Sequence, residues 1–125
     1  MILLTTDEII QLHSRLIERT GGCDGLRDRG LLESAVFSVE SCFDGVEAYP
    51  TIEEKAARVL FSLVNNHTFV DGNKRIGILA MLMTLSLNDV PLQYTQEELI
   101  LLGLSVADGS YDYPAIWEWI QTHKK

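Results

Sequence analysis

Within nine positions, from His67 to Arg75, the chain reads HTFVDGNKR and then enters the apolar run IGILAMLMTLSL. His67 supplies an imidazole, which ordinarily titrates near neutrality (pKa roughly 6.5), so it can act as general base towards a hydroxyl. Asp71 is a carboxylate that can hold Mg²⁺, a cation that keeps several waters and bridges one carboxylate to phosphate oxygens. Gly72 can adopt a positive φ and lets backbone approach a ligand closely. Asn73, Lys74 and Arg75 follow where a helix begins, and free N–H groups at a helix start, with its positive dipole end, attract anions. Lys74 and Arg75 add charge there, and arginine can grip phosphate bidentately.

Each residue has an ordinary explanation when taken alone. Asp71 and Asn73 can shape a turn and cap a helix, and Lys74 and Arg75 can be solvated first-turn residues. His67 and Asp71 at i,i+4 can also be a metal pair on a helix face, although Phe69 between them and Gly72 beside them favour a loop. Phe69 itself reads as the apolar anchor of that loop. Taken together, a base, a metal carboxylate, a glycine turn, an amide and two cations form a phosphate-transfer constellation.

That constellation needs a rigid mount. The period of apolar residues is helical throughout, and about six helices are expected, an all-α bundle around a buried central helix. Thr6 is placed as the cap of the first helix, with Asp7 and Glu8 in its first turn. Ile9, Ile10, Leu12, Leu16 and Ile17 form its apolar stripe, and Gly21-Gly22 stop it. His13 reads as a core-edge histidine with a satisfied nitrogen. A second helix after Asp28 carries Leu31, Leu32, Ala35, Val36, Val39 and Phe43. DGVEAYP, residues 44–50, forms an exposed loop or flap, and short extended pieces are expected there and at Ile2 to Leu4. Thr51 with Glu54 is a capping box for a third helix, and Thr95 with Glu98 for a fifth. The fourth runs from about Asn73 to Leu87, apolar nearly all round as befits a helix surrounded by others. A last helix follows Asp112, with Pro114 near its first turn and Ile116, Trp117 and Ile120 as anchors.

At 125 residues the chain is read as one domain, residues 1–125, large enough to bury a core without disulfides. A net charge of −8 argues against nucleic-acid binding, which needs a concentrated basic face. The acidic surface suits a basic partner. Cys23 and Cys42 form no C-x-x-C and are expected to be reduced, as in the cytoplasm. The amino end lacks the pattern of a signal peptide. The longest apolar run, Ile76 to Leu87, is about 12 residues against the roughly 20 of a membrane helix, so no membrane association is expected.

HTFVDGNKR also resembles the signature of the Fic/Doc superfamily, in which His-x-Phe-x-Asp/Glu-Gly-Asn precedes a core helix. Fic proteins usually continue Gly-Arg-x-x-Arg and move AMP from ATP to a hydroxyl; here Lys74 replaces the glycine and Ile78 the second arginine. That departure is similar to the death-on-curing (Doc) branch, the toxins of bacterial toxin–antitoxin pairs, and GGCDGLRDRGLLESA, residues 21–35, resembles the segment those toxins carry before their second helix. The resemblance implies a kinase that passes the γ-phosphate of ATP to elongation factor Tu and halts translation. His67 would deprotonate the acceptor, Asp71 would hold Mg²⁺, and Gly72, Asn73, Lys74 and Arg75 would cradle phosphates. The flap would dock the target. The best match to a Fic-type inhibitory helix, Ser14 to Glu18, is followed by Arg19 where Gly or Asn is wanted, so restraint is expected from a separate antitoxin lying in a groove between helices. Transfer of AMP, or a catalytically silent antitoxin-binding partner, are the alternative readings.

Overall fold

A computed structural model describes residues 1–125, with six helices and one short hairpin: α1 Thr6–Thr20, α2 Arg29–Ser38, β1 Cys42–Phe43, β2 Val46–Glu47, α3 Ile52–Asn65, α4 Asn73–Leu87, α5 Gln96–Ala107 and α6 Tyr113–His123. The all-α expectation holds. The helix starts follow local chemistry. Thr51 and Thr95 each accept the N–H of a glutamate three residues on, and that glutamate returns the bond to the cap N–H. Asp28 and Asp112 cap α2 and α6 through their carboxylates.

The first cap is Thr5, not Thr6: Thr5 makes the reciprocal pair with Glu8, so the box rather than the nearer threonine sets the start. The second helix ends at Ser38, and Phe43 lies in β1 with its side chain 80 % exposed, so it anchors nothing. In α6 the buried indole belongs to Trp119; Trp117 faces outward, two positions away on an 11-residue helix whose core face is marked by Ile116 and Ile120. No strand forms at residues 2–4.

The helix with the most neighbours is α3, which packs against α2, α4, α5 and α6. The α3–α4 pair is the axis of the molecule. Gly77 makes their approach possible, since a Cβ there would lie 2.9 Å from Leu60 Cδ1 and 3.1 Å from Val64 Cγ2. One apolar cluster joins α3, α4, α5 and α6 through Leu60, Met81, Leu102, Ile116 and Ile120. The other joins α1 and α2 to the same axis through Ile9, Leu32, Leu63, Phe69 and Ile76. The flank of α4 bearing Ile78, Leu79 and Leu82 is only partly covered, so the central helix is open on one side.

The β1–β2 hairpin turns at Asp44 and Gly45, both with positive φ, as a two-residue hairpin turn requires. Lys55, 2 % exposed on α3, holds it: Nζ donates to Val39 O at 2.9 Å and to Glu47 Oε1 at 3.0 Å. A buried ammonium is tolerable here because it is paired with a carboxylate and a carbonyl.

Candidate active site

Between α3 and α4 the chain makes a short loop that a second segment clamps. Residues 21–28, which join α1 to α2, run antiparallel to it, with Leu26 bridged to Phe69. Arg27 N–H donates to Thr68 O at 3.0 Å and Val70 N–H to Gly25 O at 3.0 Å. The Arg27 guanidinium reaches the carbonyls of Asn66 and His67 (3.1 and 2.6 Å), capping the end of α3. Phe69 is buried, as expected for the loop anchor, and its ring stacks on His13 at 3.8 Å. Asn73 closes the loop from the other end: its Oδ1 accepts Phe69 N–H at 2.9 Å and its Nδ2 donates to Phe69 O at 3.0 Å. The side chain of Asn73 therefore shapes the loop, and what it leaves for a ligand is its backbone N–H.

Asp71 sits at the turn into α4 with its carboxylate half-exposed. Cys23 N–H donates to Oδ2 at 3.1 Å and Gly72 N–H to Oδ1 at 2.8 Å. These two amides, with smaller help from Arg75 and His13, hold its pKa below the ordinary 3.8, so the group stays ionised. Gly72 has φ +79 and begins α4 with no side-chain cap, which leaves the first-turn amides of α4 without a capping oxygen. Lys74 is exposed and makes no hydrogen bond or ion pair, whereas Arg75 is engaged. Its Nη1 donates to Thr20 Oγ1 and to Gly21 O, tying the end of α1 to the start of α4. Its Nη2 lies 3.7 Å from Asp71 Oδ1.

His67 projects from a backbone with φ +49 and is exposed. It lines an open cavity of about 450 Å³ together with Asp71, Gly72, Asn73, Lys74 and Arg75. All six residues singled out in the sequence thus share one concavity, at the amino end of a helix. No cluster of three or more His, Cys, Asp or Glu is close enough to cage a metal. One ionised, half-exposed carboxylate with a spare lone pair on each oxygen nevertheless fits Mg²⁺, which takes its remaining ligands from water and phosphate.

The clamp's part in the site is not legible in the sequence. Gly22 (φ +112) passes so close that a Cβ there would overlap Asp71 Oδ2 and lie 3.0 Å from Arg75 Nη2. Cys23 and Arg27 bond the same loop, yet they stand some 40 to 50 residues upstream and carry no periodic signal. His13, expected at the core edge with a satisfied nitrogen, is 1 % exposed, and its Nε2 lies 2.7 Å from Asp71 O.

Residues 3–85 match the model of the Fic/DOC family. The chain belongs to that family. It is similar to the Toxin Doc of Mycolicibacterium smegmatis, 46% identical over 72 residues, which are 58% of this chain and 55% of that protein. It is also similar to the Protein kinase doc of Escherichia phage P1, 28% identical over 113 residues, covering 90% of this chain and 88% of the phage protein. The chain thus spans about half the length of the mycobacterial relative. Membership of the Doc group, expected from Lys74 and Ile78, agrees with both relatives. No helix is long and apolar enough to cross a membrane.

Proposed function

We propose that the chain is the toxin of a toxin–antitoxin pair and that its site transfers the γ-phosphate of ATP to a protein hydroxyl. The observation that carries this reading is the shared cavity of His67, Asp71, Lys74 and the uncapped start of α4. An imidazole nitrogen of His67 takes the acceptor's proton, the acceptor oxygen attacks the γ-phosphorus, and the bond from that phosphorus to the ADP oxygen breaks. The α4 amides and Lys74 bind the phosphate oxygens. Mg²⁺ held at Asp71 would supply neutralising charge to the phosphates. Arg75 fixes the end of α1 against the site through Nη1, and its Nη2, which makes no hydrogen bond, is left to meet phosphate. A toxin acting on translation in this way has elongation factor Tu as its expected target, by the resemblance to Doc proteins.

Lys74 favours phosphate over AMP transfer, because its side chain occupies space that a glycine leaves open and Ile78 offers no second cationic grip. An antitoxin restraining the site would lie in a groove of about 370 Å³ between α1, α4 and α5, lined by Leu16, Ile78, Leu79, Leu99 and Leu104 and edged by Lys74 and Arg75. An apolar segment laid there would sit beside the phosphate site.

The test is incubation with a bacterial lysate, Mg²⁺ and ATP labelled at the α or the γ position. Label entering protein from the γ position, and lost with His67→Ala, is expected. Protein label from the α position alone would establish AMP transfer instead. Undiminished growth arrest by His67→Ala would point to a silent binding partner.

A further inference from the structure

His13 lies on α1, 58 residues from the loop it touches, and is 1 % exposed. Its ring stacks on Phe69 with planes 12° apart and centroids 3.8 Å apart. Its Nε2 is 2.7 Å from the carbonyl oxygen of Asp71. A carbonyl oxygen only accepts, so Nε2 carries the proton and donates. Nδ1 faces Asp24 Oδ1 at 3.5 Å, and Asp24 in turn accepts from Ser14 Oγ and from Gly25 N–H. The imidazole is thus fixed by a stack on one face and by the Nε2 hydrogen bond, with the Asp24 carboxylate near Nδ1.

What His13 holds is the peptide plane between Asp71 and Gly72. That peptide is trans, so its C=O and N–H point opposite ways. With the carbonyl drawn inward to His13, the Gly72 N–H points outward, where it donates to Asp71 Oδ1 at 2.8 Å. Gly72 is the residue most able to permit the other arrangement, because glycine tolerates both signs of φ. A flip of this one peptide would turn a carbonyl oxygen towards the phosphate cavity and remove one of the two amides that orient the Asp71 carboxylate. Ile17 Cδ1 and His13 Nε2 would lie 3.1 and 3.5 Å from a Cβ on Gly72, so α1 is the floor on which this peptide rests.

We infer that His13 is a positioning residue of the phosphate site: its Nε2–H locks the Asp71–Gly72 peptide with the amide outward and the carbonyl away from the bound anion. The inference rests on the phosphate-site reading above, and its test separates the two. His13→Leu keeps an apolar body but removes the donor; His13→Gln can place an N–H at a similar reach. Amide hydrogen exchange of Gly72, followed by NMR on the whole chain without nucleotide, is the first readout. Exchange should quicken about tenfold or more in His13→Leu beyond any change in global unfolding, and stay within about threefold in His13→Gln. The second readout is transfer from ATP: His13→Leu should raise KM for ATP by about tenfold, with His13→Gln restoring most of it. Gly72 exchange that tracks global unfolding in both variants, or a Gln variant no better than Leu, would overturn the proposal and leave His13 as packing. If the parent chain transfers nothing from ATP, the functional reading fails, while the Gly72 amide still decides the role of His13.

Discussion

Gly22 offers the sharpest test of how the site is assembled, because a single methyl group there is aimed at Asp71. The residue has φ +112, a conformation that side chains rarely adopt, and its missing Cβ points at Asp71 Oδ2 with Arg75 Nη2 at 3.0 Å. Gly22→Ala therefore combines backbone strain with a steric overlap, and a loss of about 2–4 kcal/mol is expected. For a domain of this size that lowers the melting temperature by roughly 10 °C. Gly21→Ala is the matched control. It too sits at positive φ (+86, with ψ 170), but nothing lies within 4 Å of its Cβ, so only backbone strain applies, about 1–3 kcal/mol. Urea unfolding of the two variants, repeated in an Asp71→Ala background, isolates the clash. With the carboxylate gone, the Gly22→Ala penalty should shrink towards that of Gly21→Ala. A Gly22→Ala penalty unchanged by removing Asp71, or no larger than that of Gly21→Ala, would refute the claim that the 21–28 segment positions the carboxylate.

Three further outcomes follow from individual contacts. Asn73→Ala leaves the N–H and C=O of Phe69 without partners, so urea unfolding should reveal a loss of about 1–3 kcal/mol; an unaffected stability would return Asn73 to a purely ligand-facing role. Asp71 has a folded pKa below the ordinary 3.8, so the unfolded state binds its proton first as pH falls: its stabilising contribution is present well above 3.8 and is lost as pH drops through the lowered value. Asp71→Asn should then flatten the acid limb of a stability–pH profile, and an acid limb identical to the parent's would contradict that. Lys55→Met removes a paired buried charge and should change global stability by only about 1 kcal/mol, because Glu47 is half-exposed and can be resolvated. The hairpin loses its tether, so exchange of the Ala48 amide, bonded to Ser41 O at 2.8 Å, should quicken; a protection factor like the parent's would argue that the turn alone holds it.

The amino-acid sequence determined the parts of this protein whose physics is local. Capping boxes at Thr51 and Thr95 bring together groups three residues apart, and they marked two helix starts correctly. Asp71-Gly72 declared the turn into α4, and the nine residues from His67 to Arg75 are close in space because they are close in the chain. Where two local readings competed, the pattern failed: Thr5 won over Thr6 by its partner Glu8, and Trp119 won over Trp117 by facing the core. What only the tertiary structure decided is how that loop is held. His13, Gly22, Cys23 and Arg27 reach it from 40 or more positions away, through hydrogen bonds and one close backbone approach that leave no period in the sequence. The same packing turned Arg75 towards Thr20 and Gly21 and folded the Asn73 side chain back onto Phe69, leaving Lys74 as the cation with no partner in the cavity. Residue types announce which charges a site can have, but the direction of a hydrogen bond depends on which backbone arrives beside it, and that is fixed only when α1 and the 21–28 segment close over the start of α4.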